Sequence, residues 1–223
     1  MASRWISRAA IVTTCLLAMG CTDGRRYDQA VAALIDVSGT YADEKPEVVR
    51  ILKREILPGL LPGDTLIVLR IDSESYQNEN LETLVTLDNR PSKANAQKLA
   101  VARQLDAFAA SPVRSDYTDI SGAMMLAAEY LDEIHSGSRV MLVFSDLRAD
   151  LPQGSKRKLS ENEFGGILLA ALNVKRLQSD AENPDLFRAR VARFEGDALD
   201  AGAQGFRTFM DPAKLPEYLA EVR

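Results

Sequence analysis

Cysteine and histidine are nearly missing from this chain of 223 residues, which holds two Cys and one His. Two cysteines build neither a disulfide framework nor a four-ligand zinc site, and one imidazole cannot complete a transition-metal shell. Hard cations that take oxygen ligands are the metals left open. A surplus of positive charge is missing too: 27 Lys and Arg stand against 32 Asp and Glu, a balance of -5. No basic field is present to attract a phosphate backbone, so nucleic acid is excluded as a partner class. No apolar run approaches the ~20 residues of a membrane-spanning helix. What is there, 46% hydrophobic and 26% charged with 13 Gly and 9 Pro, is the composition of one globular domain.

The N-terminus has its own pattern. Arg4 and Arg8 precede an almost unbroken apolar run, Ala9–Met19, with the length and flank of a signal peptide. The stretch Leu16-Leu17-Ala18-Met19-Gly20-Cys21 resembles the lipobox of bacterial lipoproteins, with Ala18 and Met19 departing from the usual residues. The resemblance implies that residues 1–20 are a lipoprotein signal peptide, that Cys21 is lipidated, and that residues 21–29 form the lipidated N-terminus and tether. The domain of 30–223 would then be held in the periplasm of a bacterial cell envelope, joined to the membrane by the lipid anchor alone. Loss of Arg4 and Arg8 moves the charge balance from -5 to -7. Cys15 leaves as well and Cys21 carries lipid, so no thiol remains for catalysis.

Beyond the tether, strand-length apolar runs alternate with helical patterns. Val31–Ile35, Leu66–Ile71, Leu81–Leu87, Val140–Phe144, Ile167–Val174 and Phe206–Met210 read as strands, the second and third as a possible hairpin. Tyr41–Leu57, Ser92–Ala110, Ile120–Ile134, Leu186–Leu199 and Leu215–Val222 read as helices, with Pro58, Gly59, Pro62 and Gly63 ending the first. A strand that is apolar at successive positions is buried on both faces, so the fold class is α/β, with a doubly wound, mostly parallel sheet between two helical layers. Ligands of such sheets bind beyond the carboxyl ends of the strands.

Three polar clusters occupy those ends: Asp36-Val37-Ser38-Gly39-Thr40, then Thr118-Asp119 before the most amphipathic helix, then Ser145-Asp146 after Val140–Phe144. Carboxylates and hydroxyls with no nitrogen or sulfur donor suit a hard divalent cation. The set resembles the metal-ion-dependent adhesion site of von Willebrand factor type A domains, which is built from D-x-S-x-S, a Thr before a helix, and an Asp after a central strand. Asp36, Ser38 and Thr40 match the first element, with Thr in place of the last Ser; Thr118 matches the second and Asp146 the third. The resemblance implies a cation site of Asp36, Ser38, Thr40, Thr118 and Asp146 holding Mg²⁺, Mn²⁺ or Ca²⁺, with an open position for an acidic side chain of a partner protein. It implies a binding module rather than an enzyme.

Other readings compete. The same residues in a fold that binds no metal would make a structural lipoprotein. Asp36-Val37-Ser38-Gly39-Thr40 also resembles the D-x-D-G-T motif of haloacid dehalogenase-type phosphatases, with Asp36 as nucleophile and Gly196, Asp197 and Asp200 as a faint acidic motif. Ser38 stands where that family has its general acid, and a Ser hydroxyl cannot protonate a leaving alkoxide at neutral pH. Thr118 or Asp119 is a natural helix N-cap, His135 fits a helix C-terminus as a structural residue, and Asp72-Ser73-Glu74-Ser75 reads as a solvated loop. Lys156-Arg157-Lys158 lies in the polar loop Leu151–Glu163, most often a solvated loop, and on this fold it would border the metal face, where it could help select an acidic partner.

Overall fold

Eight consecutive residues of the first strand, Gln29–Asp36 (β1), are buried, because a neighbouring strand pairs with each edge and a helical layer covers each face. Side chains alternate between the layers: Val31, Ala33 and Ile35 enter one core, and Ala30, Ala32 and Leu34 the other. The computed structural model describes residues 26–39, 41–153 and 157–223. The expected signal peptide, Cys21, Thr40 and Lys156 lie outside the described residues.

The chain continues through a helix, Lys45–Ile51 (α1), lengthened by a π-helical turn at Leu52–Ile56 and stopped at Pro58-Gly59. The strands Thr65–Ile71 (β2) and Leu81–Thr86 (β3) form the anticipated hairpin, antiparallel and at the sheet edge. Two helices follow, Pro91–Ala110 (α2) and Ile120–Ile134 (α3), then the strands Ser138–Phe144 (β4) and Leu168–Leu172 (β5). A short helix, Gln178–Glu182 (α4), precedes Pro184–Asp200 (α5), and Gly205–Phe209 (β6) and Leu215–Glu221 (α6) complete the domain. The sheet order is β3-β2-β1-β4-β5-β6, parallel except for β3. Residues of α1, α2 and α6 fill one core and those of α3 and α5 the other.

The strand boundaries shift by a residue or two from those the sequence suggests, and β1 begins at Gln29, one residue inside the expected tether. His135 ends α3 in the left-handed conformation at φ 53°, its ring Nδ1 2.7 Å from the Glu133 carbonyl oxygen, a structural place as expected. Among the described residues no helix is long and apolar enough to cross a membrane.

Because β1, β2, β4, β5 and β6 run the same way, their carboxyl ends share one edge. Asp36 and Ser145 close β1 and β4 there. Both continue the alternation of the strand face covered by α3, so both side chains fall on the same side of the sheet.

Candidate metal centre

At the end of β1, Asp36 turns its carboxylate back onto its own loop. Asp36 Oδ1 accepts from the Ser38 amide at 2.9 Å and from the Ser38 hydroxyl at 2.5 Å. Gly39 follows at φ 44°, a conformation that disfavours a side chain, and the Ser38 carbonyl then accepts the amides of Tyr41 and Ala42. The D-x-S-x-T segment is therefore a tight turn in which the Ser38 hydroxyl and the Asp36 carboxylate face the same space.

Thr118 reaches that space from the loop before α3. Its amide donates to the Asp150 carbonyl at 2.6 Å and its carbonyl accepts the Asp150 amide at 3.0 Å, a two-bond bridge to the loop after β4. Ser115, three residues earlier, exchanges hydrogen bonds with Val37 and Gly39. Held from both sides, the Thr118 hydroxyl stands 2.5 Å from that of Ser38. Asp119 takes the N-cap position, Oδ1 accepting the Gly122 amide at 2.9 Å, which leaves the Thr118 hydroxyl available to the site.

The third element comes from β4. Ser145 donates to Asp36 Oδ2 at 2.7 Å and accepts the Leu147 amide at 3.0 Å. Leu147 sits at φ 62°, a strained place for a branched residue, and it makes the chain turn sharply just beyond Asp146. Half-buried Asp146 accepts the Arg148 amide at 2.8 Å. Asp36, Ser38 and Thr118 are thus in direct contact, Asp146 follows the residue that bonds to Asp36, and Ser145 is a contact that the family motif alone does not name. Its signal in the sequence was its place at the end of a fully apolar strand.

Burial of Asp36 raises its pKa from 3.8 to about 6, against the hydrogen bonds from Ser38 and Ser145 that favour the carboxylate; the charge of Asp146 raises it further. Tyr41, beneath the turn, donates to the Asn173 carbonyl at 3.1 Å, and burial pushes its phenol upward so that it stays neutral. The donor set at the edge is all oxygen: buried neutral hydroxyls and two carboxylates. No group of three or more His, Cys, Asp or Glu side chains that could hold a metal gathers among the described residues, so a cation here would depend on the hydroxyls. Adjacent ligands of an octahedral Mg²⁺ lie about 2.9 Å apart, given metal–oxygen distances near 2.0–2.1 Å. Ser38 Oγ and Thr118 Oγ1 need to part by only a few tenths of an ångström to meet that spacing, so these residues fit a small hard cation.

Arg157 lies exposed in its loop, and its Nε donates to Asp119 Oδ2 at 2.9 Å. Asp197 and Asp200 lie on α5, in keeping with the helical pattern of Leu186–Leu199, so they do not form the acidic strand-end motif of the phosphatase reading.

Neither a known family model nor a curated protein sequence matches the chain. Solved structures do. An aerotolerance-related membrane protein from Bacteroides fragilis, carrying multiple mutations to serine, aligns at TM-score 0.52 and 11% identity, over 87% of this chain and 98% of that one. BatB from Bacteroides thetaiotaomicron aligns at TM-score 0.52 and 11% identity, over 87% and 96%. The pilus adhesin SpaC from Lactobacillus rhamnosus GG aligns at TM-score 0.51 and 13% identity, over 88% of this chain and 30% of SpaC. The likeness is one of fold: a mostly parallel six-stranded sheet with flanking helices, the α/β class that the sequence indicates.

Proposed function

We propose that this chain is a metal-ion-dependent protein-binding module, anchored by lipid at Cys21 with its domain in the periplasm of a bacterial envelope, and not an enzyme. The observation that carries the reading is the meeting of the Asp36, Ser38 and Thr118 oxygens at the carboxyl edge of the sheet, with Asp146 beside them. Thr40 and Asp146 complete the proposed ligand set. Ser38 already turns its proton toward Asp36, which leaves a lone pair for a metal, and Ser145 fixes the far oxygen of Asp36 so that the carboxylate cannot rotate away. A bound Mg²⁺, Mn²⁺ or Ca²⁺ supplies an electrophilic open position suited to a carboxylate. The hydroxyls of Ser38, Thr40 and Thr118 bring no charge to the ion, which keeps it electrophilic enough to take an acidic side chain from a partner protein. The fold likeness to a protein named as a membrane protein and to one named as a pilus adhesin supports an envelope setting and a binding role.

The test is thermal unfolding with and without Mg²⁺ or Mn²⁺. The divalent ion is expected to raise the wild-type melting temperature, by about 2–4 °C for each kcal/mol of linked binding in a domain of this size. Asp36→Ala is expected to remove the shift. A wild-type curve that ignores both ions overturns the reading.

A further inference from the structure

The loop between β4 and β5 crosses back over the start of α3, and one side chain fastens it there. The Arg157 Nε donates to Asp119 Oδ2 at 2.9 Å, and only 1% of the Asp119 side chain is exposed. The other oxygen, Oδ1, is taken by the Gly122 amide, and the carboxylate lies so close to the helix that a Cβ at position 122 would clash with Oδ2. The Arg157 guanidinium also lies over the Tyr76 ring, 5.7 Å from its centroid, and the Tyr76 hydroxyl bonds Glu129 of α3. The Asp119 amide donates to the Asp72 carbonyl at 2.7 Å. Segments following β2 and β4 thus meet at Asp119, the residue next to Thr118.

We propose that the Arg157–Asp119 ion pair is a latch that positions the Thr118 hydroxyl for the cation site, which makes Arg157 a positioning residue for cation binding. The inference rests on the cation reading given above. Thr118 is clamped on one side by its two bonds to Asp150 and on the other by Asp119, and both clamps draw on the same loop. Removing Arg157 leaves a buried carboxylate short of its countercharge, which pulls Asp119 toward water and Thr118 with it. A ligand constellation tolerates about 0.5 Å of such movement, and loss of an outer partner typically weakens metal affinity 10–100-fold. Simple electrostatics predicts the opposite sign: deleting a positive charge beside a cation site strengthens cation binding. The direction of the change therefore separates positioning from charge.

The experiment titrates Mn²⁺ into the purified full-length protein and reads free Mn²⁺ by electron paramagnetic resonance, with hydrogen exchange at the Thr118 amide as a second readout. Arg157→Ala is expected to bind Mn²⁺ about tenfold more weakly and to exchange Thr118 faster. Arg157→Lys, which keeps the charge without the forked donors, is expected to fall between that variant and wild type, and it supplies the test if Arg157→Ala does not fold. Arg148→Ala removes an exposed neighbouring charge without touching Asp119 and is expected to bind at least as tightly as wild type. Wild-type or tighter affinity in the folded Arg157 variants overturns the latch and leaves the cation site standing. A wild-type protein that binds no Mn²⁺ overturns the cation reading and the latch together.

Discussion

Ser145 holds two partners with one oxygen. It donates to the buried Asp36 carboxylate and accepts the amide of Leu147, the residue in the strained left-handed conformation. Ser145→Ala would leave one oxygen of Asp36 and the Leu147 amide without those partners, in a place where Ser145 itself is fully buried. The expected loss is about 1–3 kcal/mol of stability, the usual consequence of an unsatisfied buried group, read as a lower urea midpoint with unchanged slope. A midpoint equal to that of wild type would show that the Asp36 carboxylate has other support. At this scale the sequence marks Asp36, Ser38 and Thr118 because polar residues directly after apolar strands, or before an amphipathic helix, stand out locally. The Arg157–Asp119 pair leaves no such trace. Its members lie 38 residues apart and meet only through the path of a loop.

Elements differ in how plainly they are written. The bounds of α3 follow directly from a repeating apolar stripe, and β1 and β4 from runs that two-sided burial requires to be apolar. The five residues of α4 escape such reading, being too short for a helical period to show, and they are held by tertiary contact instead. Arg190 on α5 bonds both carboxylate oxygens of Asp180, at 3.2 and 2.8 Å, and Asp180 Oδ2 also accepts the Leu177 amide. The Arg190 guanidinium holds the Asp180 carboxyl below its ordinary value of 3.8, with burial opposing it. A carboxyl lowered in the folded state contributes stability that is complete above its unfolded pKa of about 4 and is lost as pH falls through the lower folded value. Asp180→Asn is therefore expected to melt below wild type at pH 7, with the gap narrowing once the pH drops beneath about 4. A gap independent of pH would mean that the pair contributes shape rather than charge.

The whole molecule has two poles, set by the common direction of five strands. Gln29 begins β1 at one pole and Asp36 ends it at the other, seven residues further on or about 23 Å away at 3.3 Å per residue. At the first pole, buried Asp64 accepts from the Gln29 and Leu61 amides and from the Arg223 guanidinium, binding the starts of β1 and β2 to the last residue of the chain. The described chain enters β1 at this pole, so in the proposed lipid-anchored form the sheet would set the candidate cation site at the end away from the anchor. Anchoring and cation binding then occupy opposite ends and are separable. Cys21→Ser is expected to move the protein from the membrane to the soluble fraction on cell fractionation, while the Mg²⁺-linked rise in melting temperature stays as in wild type. Asp36→Ala is expected to do the reverse, remaining with the membrane and losing the shift. If Cys21→Ser stays in the membrane fraction, the lipid anchor is wrong. If it leaves the membrane but loses the metal response, the two poles are coupled in a way that the parallel sheet does not account for.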